Sequence, residues 1–403
     1  MKIIMHIDVN NAFLSWSAIY LLNNGFKYDI RNSYAVIGGD EKSRRGIVLA
    51  KSTPAKRRGV VTGETLYSAR KKCIGLKSYK PNYKFYKKMS DTMFKLIKGY
   101  SPDIEKMSID ECFLDYTPVK RLYGDEIEFA ERIKKEIYQK LGFTVNVGIG
   151  NNKLCAKMAS DFSKPNKVHT LFLDEVSKKM WPLKVGKLFG IGKQTEKKLN
   201  TLGIYYIKDL ACFDEKTLKK YFKSQAAYMI KSARGFGSDE VISEESISKG
   251  IGNETTLDHN IYSKEELYPY LLGLCENVCL RLRRDDRYAF VVAVTIKDKF
   301  FKRKSHQKRL VNATNITEEV YNLSKEILSE MNVEDGVRLI GVRLDGLSDF
   351  SYHQTSLFEN INDRDSINNL DKTIDEIKDR FGFKVIGKAS LNNREVRNKY
   401  LDK

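Results

Sequence analysis

The order of its predicted elements most constrains what this 403-residue chain can fold into. A short strand pattern at residues 2–7 leads into a helical pattern that ends near residue 23. If an insert at about residues 24–80 is set aside, the chain up to residue 149 reads β-α-β-β-α-β, the split βαβ order of ferredoxin-like sheets. The same order returns between residues 249 and 346 without matching sequence. The sequence therefore predicts an α+β, multidomain chain with two sheets of this kind.

The predicted topology brings three acidic side chains to one edge of the first sheet. In the split βαβ order, the third strand lies antiparallel beside the first. Asp8 ends the first strand, while Asp110 and Glu111 precede the third. Mg²⁺ prefers oxygen ligands, and a pair of such ions can clamp the oxygens of a phosphoryl transfer. The structural alternative is that Asp8 caps a helix and the other two lie in a turn. The convergence favours a metal site.

The net charge restricts the class of partner. Lys and Arg number 71 against 52 Asp and Glu, a formal charge of +19. This excess favours nucleic acid first and an anionic membrane surface second, with a merely basic, soluble protein as the alternative. The longest apolar run, residues 288–296, is shorter than the ~20 residues that span a bilayer. The scattered cysteines are not a disulfide framework. We predict a cytoplasmic protein.

Two basic segments are candidates for contacts with phosphate. Gly190 and Gly192 form a hairpin before a Lys-rich helix, and glycines allow backbone N–H groups to approach a phosphate closely. Between residues 297 and 309, seven of thirteen residues are Lys or Arg. The alternatives are a simple helix-joining loop and a solvated, charged edge strand. The predicted DNA-binding residues are Gly190, Gly192, Lys193, Lys297, Lys302, Arg303 and Lys304.

Four short motifs follow one another along the chain. They are MHIDVNNAF at 5–13, SIDE at 108–111, VGIGNNK at 147–153 and SKPN at 163–166. These motifs resemble those of Y-family, translesion DNA polymerases, in particular the bacterial UmuC/DinB-like branch. The hairpin at 190–192 fits the thumb of that family, and the resemblance covers about residues 1–350 in unbroken order.

The resemblance implies a right-hand-like polymerase. It has a ferredoxin-like palm, small fingers, a helical thumb with a helix-hairpin-helix, and a little finger formed by the second β-α-β-β-α-β unit. The implied domains are the palm (1–23 and 79–165), fingers (24–78), thumb (166–235), linker (236–248), little finger (249–350) and tail (351–403).

The resemblance also implies roles for individual residues. Asp8, Asp110 and Glu111 become catalytic; with the Val9 carbonyl they bind two Mg²⁺ ions, with Mn²⁺ as an alternative ion. Phe13 matches the aromatic residue that blocks a 2′-hydroxyl, and Lys164 matches a triphosphate contact. Many relatives carry Tyr-x-x-Arg where this chain has Thr53 to Lys56, and lysine lacks the bidentate fork of arginine. The implied nucleotide-binding residues are Asn11, Ala12, Phe13, Thr53, Lys56 and Lys164.

The tail contains a further motif and a helical pattern. Gln354, Leu357 and Phe358 form a Gln-x-x-Leu-Phe sequence that resembles the peptide by which bacterial polymerases bind the sliding clamp. Exposed apolar residues in a polar segment are typical of a partner site. The alternative is that the pair folds back onto its own domain. The helix that follows is predicted to be amphipathic, with an apolar face of Ile367, Leu370, Ile374, Ile377 and Phe381.

The function predicted from these features is template-directed DNA synthesis across damaged bases. A primer 3′-hydroxyl attacks the α-phosphate of a dNTP, and pyrophosphate leaves. The expected partners are primer-template DNA, dNTP and the clamp, with a monomeric chain and no membrane. Two alternatives remain: a metal-dependent nuclease that uses the same carboxylates, and a non-catalytic DNA-binding accessory protein.

Overall fold

The computed structural model describes most of the chain. The chain divides into two compact units, residues 1–40 with 46–246, and residues 41–45 with 247–403. The residues described are 2–41, 44, 46–244, 248–350, 361–382 and 385–389.

The strands of the first unit form a five-stranded and a three-stranded sheet. In the larger sheet the strand order is β5-β6-β1-β7-β8, and in the smaller it is β3-β2-β4. The strands are β1 (Ile4–Val9), β2 (Ala35–Gly38), β3 (Val48–Lys51), β4 (Lys77–Tyr79), β5 (Ile104–Lys106), β6 (Glu111–Asp115), β7 (Val145–Gly150) and β8 (Val168–Leu171).

The helices of the first unit pack on its two sheets and form a separate helical region after the larger sheet. Their bounds are α1 (Ala12–Asn23), α2 (Thr53–Arg57), α3 (Leu66–Lys72), α4 (Tyr83–Lys98), α5 (Lys120–Tyr123), α6 (Glu126–Leu141), α7 (Lys153–Ser160), α8 (Val176–Lys179), α9 (Lys193–Asn200), α10 (Ile207–Cys212), α11 (Glu215–Phe222) and α12 (Gln225–Ala233).

The central strand β1 explains the position of the acidic edge. It pairs antiparallel with both β6 and β7, and Asp8 lies opposite Glu111. Every residue of β1 is buried, because α1, α4 and α6 pack on one face and α7 on the other. The predicted neighbourhood of the first and third strands is confirmed.

One strand of this sheet was not predicted. Residues 166–235 were expected to be helical, yet β8 pairs parallel with β7 at the start of that segment. Its sequence, Val-His-Thr-Leu, is too short to show a strand period. The helical region then follows from α8 to α12 around its own buried core.

The second unit contains the second predicted β-α-β-β-α-β order. Its four-stranded sheet has the order β11-β10-β12-β9, so the first strand lies at an edge here, whereas β1 is central in the first unit. The element order therefore repeats while the strand order does not. The elements are β9 (Gly250–Ile261), α13 (Lys264–Arg284), β10 (Tyr288–Asp298), β11 (Arg303–Thr314), α14 (Thr317–Ser329), β12 (Val337–Ser348) and α15 (Ile361–Phe381).

The tail helix α15 is present, and its packing follows the predicted amphipathic pattern only in part, since Ile367, Ile374 and Ile377 are half-buried. Leu370 and Phe381 of the predicted apolar face are 59% and 69% exposed, while Asp371 and Lys378 are buried. The reason is electrostatic, since the buried side chains pair with charged groups on α13. None of the helices in the described part of the chain combines the length and the hydrophobicity needed to cross a bilayer.

Candidate active site

Close packing of helix α7 on strand β7 builds one wall of the site. A Cβ atom at Gly148 would lie 2.0 Å from the Ala156 carbonyl oxygen and 2.3 Å from the Ser160 nitrogen. Asn152 begins the helix, and its side chain accepts a hydrogen bond of 2.9 Å from the Cys155 amide. Because Gly148 has no side chain, α7 can lie directly on the sheet.

Asp8 and Glu111 face a buried lysine that α7 supplies. Lys157 Nζ lies 2.7 Å from Glu111 Oε1 and 3.3 Å from Asp8 Oδ2, and its side chain is only 8% exposed. Lys164 Nζ lies 2.9 Å from the same Asp8 oxygen and 2.8 Å from Asp161 Oδ1. The predicted metal-binding and triphosphate-binding residues thus meet at Asp8. Lys157 was missed in the sequence, although it is the one charged residue within residues 154–160.

Burial and charge act in opposite directions on these groups. Burial and a hydrogen bond with Glu111 raise the pKa of Asp8 to about 6, against the effect of the two lysines. Burial also raises the pKa of Glu111, but His6, Asp8 and Lys157 outweigh it, so this pKa lies below its usual range. Burial lowers the pKa of His6, which keeps the imidazole neutral. Of the two carboxyl groups, Asp8 is therefore the one more easily protonated as the pH falls, and Glu111 stays ionised to lower pH.

His6 lies behind the carboxylates. Its Nδ1 shares a hydrogen bond of 2.8 Å with Ser160 Oγ, and its Nε2 lies 3.7 Å from Glu111 Oε2. That nitrogen is buried, and among the described residues it has no hydrogen-bond partner. No pattern in the sequence signals this contact, because it depends on how α7 meets β1.

Asp110 does not join the other two carboxylates. Its Oδ1 accepts a hydrogen bond of 2.6 Å from Ser108 Oγ, and its carbonyl oxygen accepts one of 3.0 Å from the Val9 amide. Within the described ranges, no three His, Cys, Asp or Glu side chains lie close enough to hold a metal ion. The predicted convergence therefore holds for the backbone of all three residues, while the Asp110 side chain is hydrogen-bonded within the turn before β6.

The residues nevertheless fit a hard divalent cation. All the candidate donors are oxygens, which Mg²⁺ prefers. Two ammonium groups already lie within 3.3 Å of Asp8 Oδ2, so this oxygen attracts cations in the structure itself.

The ring of Phe13 lies on the first turn of α1 beside the acidic edge. It stacks on Tyr86 with the ring centroids 4.9 Å apart and the planes at 12°, and it meets the edge of Tyr83 at 6.0 Å. Ala12 is buried next to it. These contacts fix the position of the Phe13 ring, which is predicted to block a 2′-hydroxyl.

Two asparagines connect the neighbouring loops. Asn11, at φ 52°, precedes α1, and its Nδ2 donates a hydrogen bond of 2.6 Å to the Lys51 carbonyl. Asn10 Oδ1 accepts a hydrogen bond of 2.8 Å from the Asn166 amide, which fixes the loop that carries Lys164. Asn10 was not predicted as a site residue.

Thr53 and Lys56 lie on the short helix α2, directly after Lys51. Ser52 caps this helix by accepting a hydrogen bond of 3.1 Å from the Ala55 amide. Both Thr53 and Lys56 are exposed. The structure thus connects them to the Asn11 loop through Lys51, and in the described part of the chain no hydrogen bond or ion pair joins them to the carboxylates.

The predicted DNA-binding residues are exposed in the unit to which each belongs, except for Lys297, which is half-buried. In the first unit, Gly190 has φ +91°, and Gly192 is followed by α9, which begins at the exposed Lys193. In the second unit, Arg303 and Lys304 are exposed on the edge strand β11, as is Lys302 just before it, and Lys297 pairs with Arg303 across the strands. Arg303 also contacts Glu254 at 2.8 Å. Gln354, Leu357 and Phe358 lie outside the described residues.

Comparison with known proteins decides the family. Residues 7–161 match the model of the impB/mucB/samB family, residues 248–357 match its C-terminal domain, and residues 174–204 match the helix-hairpin-helix motif of the IMS family. A DNA polymerase IV of Clostridium acetobutylicum is 46% identical over 98% of this chain and 99% of the relative. The chain belongs to the impB/mucB/samB family. The resemblance to Y-family polymerases is thereby confirmed.

A second curated relative and two solved structures agree with this family assignment. A DNA polymerase IV of Acetivibrio thermocellus is 32% identical over 97% of both chains. Among solved structures, a Y-family DNA polymerase chimera of Dbh and Dpo4 matches with a TM-score of 0.75 and 25% identity, over 85% of this chain and 98% of that one. A Dbh ternary complex matches with a TM-score of 0.58 and 26% identity over the same shares. The predicted polymerase fold is confirmed by these neighbours.

Proposed function

We propose that this protein is a template-directed DNA polymerase of the translesion type, which extends a primer past damaged bases in the cytoplasm. The observation that carries the proposal is the register of β1 with β6. It pairs Asp8 with Glu111 across the strands, and Lys164 Nζ from the loop after α7 lies 2.9 Å from Asp8 Oδ2, so two carboxylates and a lysine meet at one sheet edge. The names of the relatives, DNA polymerase IV, support the same reaction.

The chain supplies position and charge to this reaction. Two Mg²⁺ ions held by Asp8, Asp110, Glu111 and the Val9 carbonyl would stabilise the charge that develops on the transferring phosphoryl group. Lys164 would bind the triphosphate, with support from Lys56, Thr53 and the Asn11 loop. Because Phe13 lies on the first turn after Asp8, it limits the space beside the sugar.

We assign the domains accordingly. The larger sheet of the first unit is the palm, the smaller sheet the fingers, and the helices after β8 the thumb. The second unit is the little finger. Exposed lysines and arginines on the thumb and on β11 contact phosphates, which positions DNA without reading its sequence. The exposed positive charge of these two regions suits a primer-template duplex.

The tail motif supplies a further proposed partner. Gln354, Leu357 and Phe358 bind the sliding clamp, and the polymerase itself acts as a monomer. Tethering by the clamp raises the local concentration of DNA without new catalytic contacts.

A primer-extension assay tests the proposed reaction. With a labelled primer-template, Mg²⁺ and dNTPs, we expect extension of the primer; shortening would indicate a nuclease, and a mobility shift without chemistry an accessory protein. Glu111→Gln should abolish extension while DNA binding changes by no more than a few-fold. The matched control is Glu105→Gln, a carboxylate of the same sheet that pairs with Lys153 instead. Normal extension by Glu111→Gln would contradict the assignment.

A further inference from the structure

Lys157 is a buried lysine that contacts carboxylates on two strands, unlike the exposed lysines of the basic surface. Its Nζ bridges carboxylates from two different strands, Glu111 on β6 and Asp8 on β1, and lies 3.6 Å from Asp161. The side chain is 8% exposed, and the helix around it is buried over residues 154–160. An ammonium group is retained in such a place only when it is paired, because burial of an unpaired charge is costly.

The neighbouring lysine on the same helix shows what an ordinary pair looks like. Lys153 lies one turn earlier and contacts Glu105 at 2.8 Å, where its side chain is 19% exposed. Across the strands, that carboxylate lies opposite an aromatic residue, Phe113. Lys157, by contrast, contacts two carboxylates that the strand register brings opposite each other.

We infer that Lys157 is a positioning residue, a fixed counter-ion that holds the Asp8 and Glu111 carboxylates in place when no divalent cation is bound. Two facing carboxylates repel each other, and a positive charge between them offsets that repulsion. A bound divalent cation provides the same compensation. Without Lys157, the folded first unit therefore depends on the cation. The inference rests on the proposed function in that it takes these carboxylates as the metal site.

The test is thermal unfolding of the full chain without DNA or nucleotide, in EDTA and in millimolar Mg²⁺. Lys157→Met keeps the length of the side chain and removes its charge. In EDTA we expect its first unfolding midpoint to fall by about 5–10 °C, and Mg²⁺ to restore most of this loss. The wild type should respond far less to Mg²⁺. Lys153→Met is the matched control, and its midpoint should not depend on Mg²⁺ more than that of the wild type.

A double variant keeps the test decisive if Lys157→Met does not fold. Lys157→Met with Glu111→Gln removes both charges, so it should fold and recover its midpoint in EDTA. Failure of the double variant as well, or a Lys157→Met midpoint equal to that of Lys153→Met, would overturn the counter-ion role. If Glu111→Gln restores the midpoint but Mg²⁺ does not, the counter-ion role is supported and the metal site of the proposed function is contradicted.

Discussion

At the scale of single residues, the ring of Phe13 is held in one position by the aromatic side chains packed around it. Tyr86 lies parallel to it at 4.9 Å, and the Tyr86 hydroxyl shares a buried hydrogen bond of 2.5 Å with Ser17. Trp16 packs behind both rings. The ring cannot retreat without breaking this cluster, so its position relative to the acidic edge is fixed by packing rather than by a ligand.

This rigidity predicts a change in sugar selection. Phe13→Ala should raise the incorporation of ribonucleotides relative to deoxyribonucleotides by on the order of 100-fold, since an added hydroxyl is rejected strongly only when an atom blocks it. Steady-state incorporation of a matched rNTP and dNTP measures the ratio. Phe85→Ala is the control, because that ring packs on Tyr20 instead. An equal loss with both substrates would make Phe13 an ordinary core residue.

At the scale of elements, the contact between α7 and β7 delivers Lys157 and Ser160 to the site. The contact requires a glycine at position 148, because any Cβ there would overlap the backbone of the helix. Gly192, by contrast, has open space where a Cβ would be placed and an ordinary extended φ of −82°. The two glycines therefore serve different purposes.

Gly148→Ala should displace α7 and so damage both stability and chemistry. We expect a loss of about 3 kcal/mol or more in the free energy of unfolding, because the neighbouring atoms are backbone and cannot rotate away. Incorporation should fall with it, since Lys157 moves with the helix. Gly192→Ala should change stability by less than about 0.5 kcal/mol. Denaturant unfolding compares the two, and similar losses would mean that the close approach of α7 is not needed.

The elements also show what sequence patterns reveal and what they miss. The sequence pattern predicts helices over residues 83–98, 126–141 and 264–284 and a strand over 288–298. The structure has α4, α6, α13 and β10 with these bounds, because each has a clear period over many residues. The pairing of β1 with β6 followed from topology alone. The contacts of Lys157 and His6 could not be predicted in this way, since they depend on the distance between α7 and the sheet. The tail helix was misjudged in part of its packing because charged pairs outweighed its apolar stripe.

The charged docking of α15 predicts unequal effects for two adjacent arginines. Arg283 is 7% exposed and contacts Asp375 at 2.6 Å and Asp371 at 3.1 Å. Arg284 contacts Asp379 with both side chains about half exposed. Arg283→Ala should therefore cost about 3–5 kcal/mol, as a broken buried pair does, while Arg284→Ala should cost at most about 1 kcal/mol.

Hydrogen exchange of the α15 amides measures this difference. Arg283→Ala should greatly increase their exchange, whereas Arg284→Ala should leave it near the wild-type rate. Equal protection in both variants would show that α15 is held by other contacts.

At the scale of the whole molecule, charge determines how DNA is held. With a net charge of +19, affinity should come mainly from phosphate contacts, so log K should fall with log salt at about −0.7 to −0.9 per phosphate contacted. Contacts of this kind release counterions and carry no sequence information. A polymerase held in this way dissociates readily at physiological salt, so a tether would increase the time it spends on a primer end.

The proposed clamp motif is such a tether and gives the last prediction. It lies in sequence between β12 and α15, so both ends of the motif are joined to elements of the second unit. Gln354→Ala with Leu357→Ala and Phe358→Ala should leave extension on a bare primer-template unchanged and remove stimulation by the clamp, because tethering acts through local concentration alone. Glu359→Ala with Asn360→Ala is the matched control and should keep the stimulation. Extension is measured with and without clamp, and binding in a pull-down. A triple variant that binds the clamp like the wild type would assign the Leu-Phe pair to packing within its own domain.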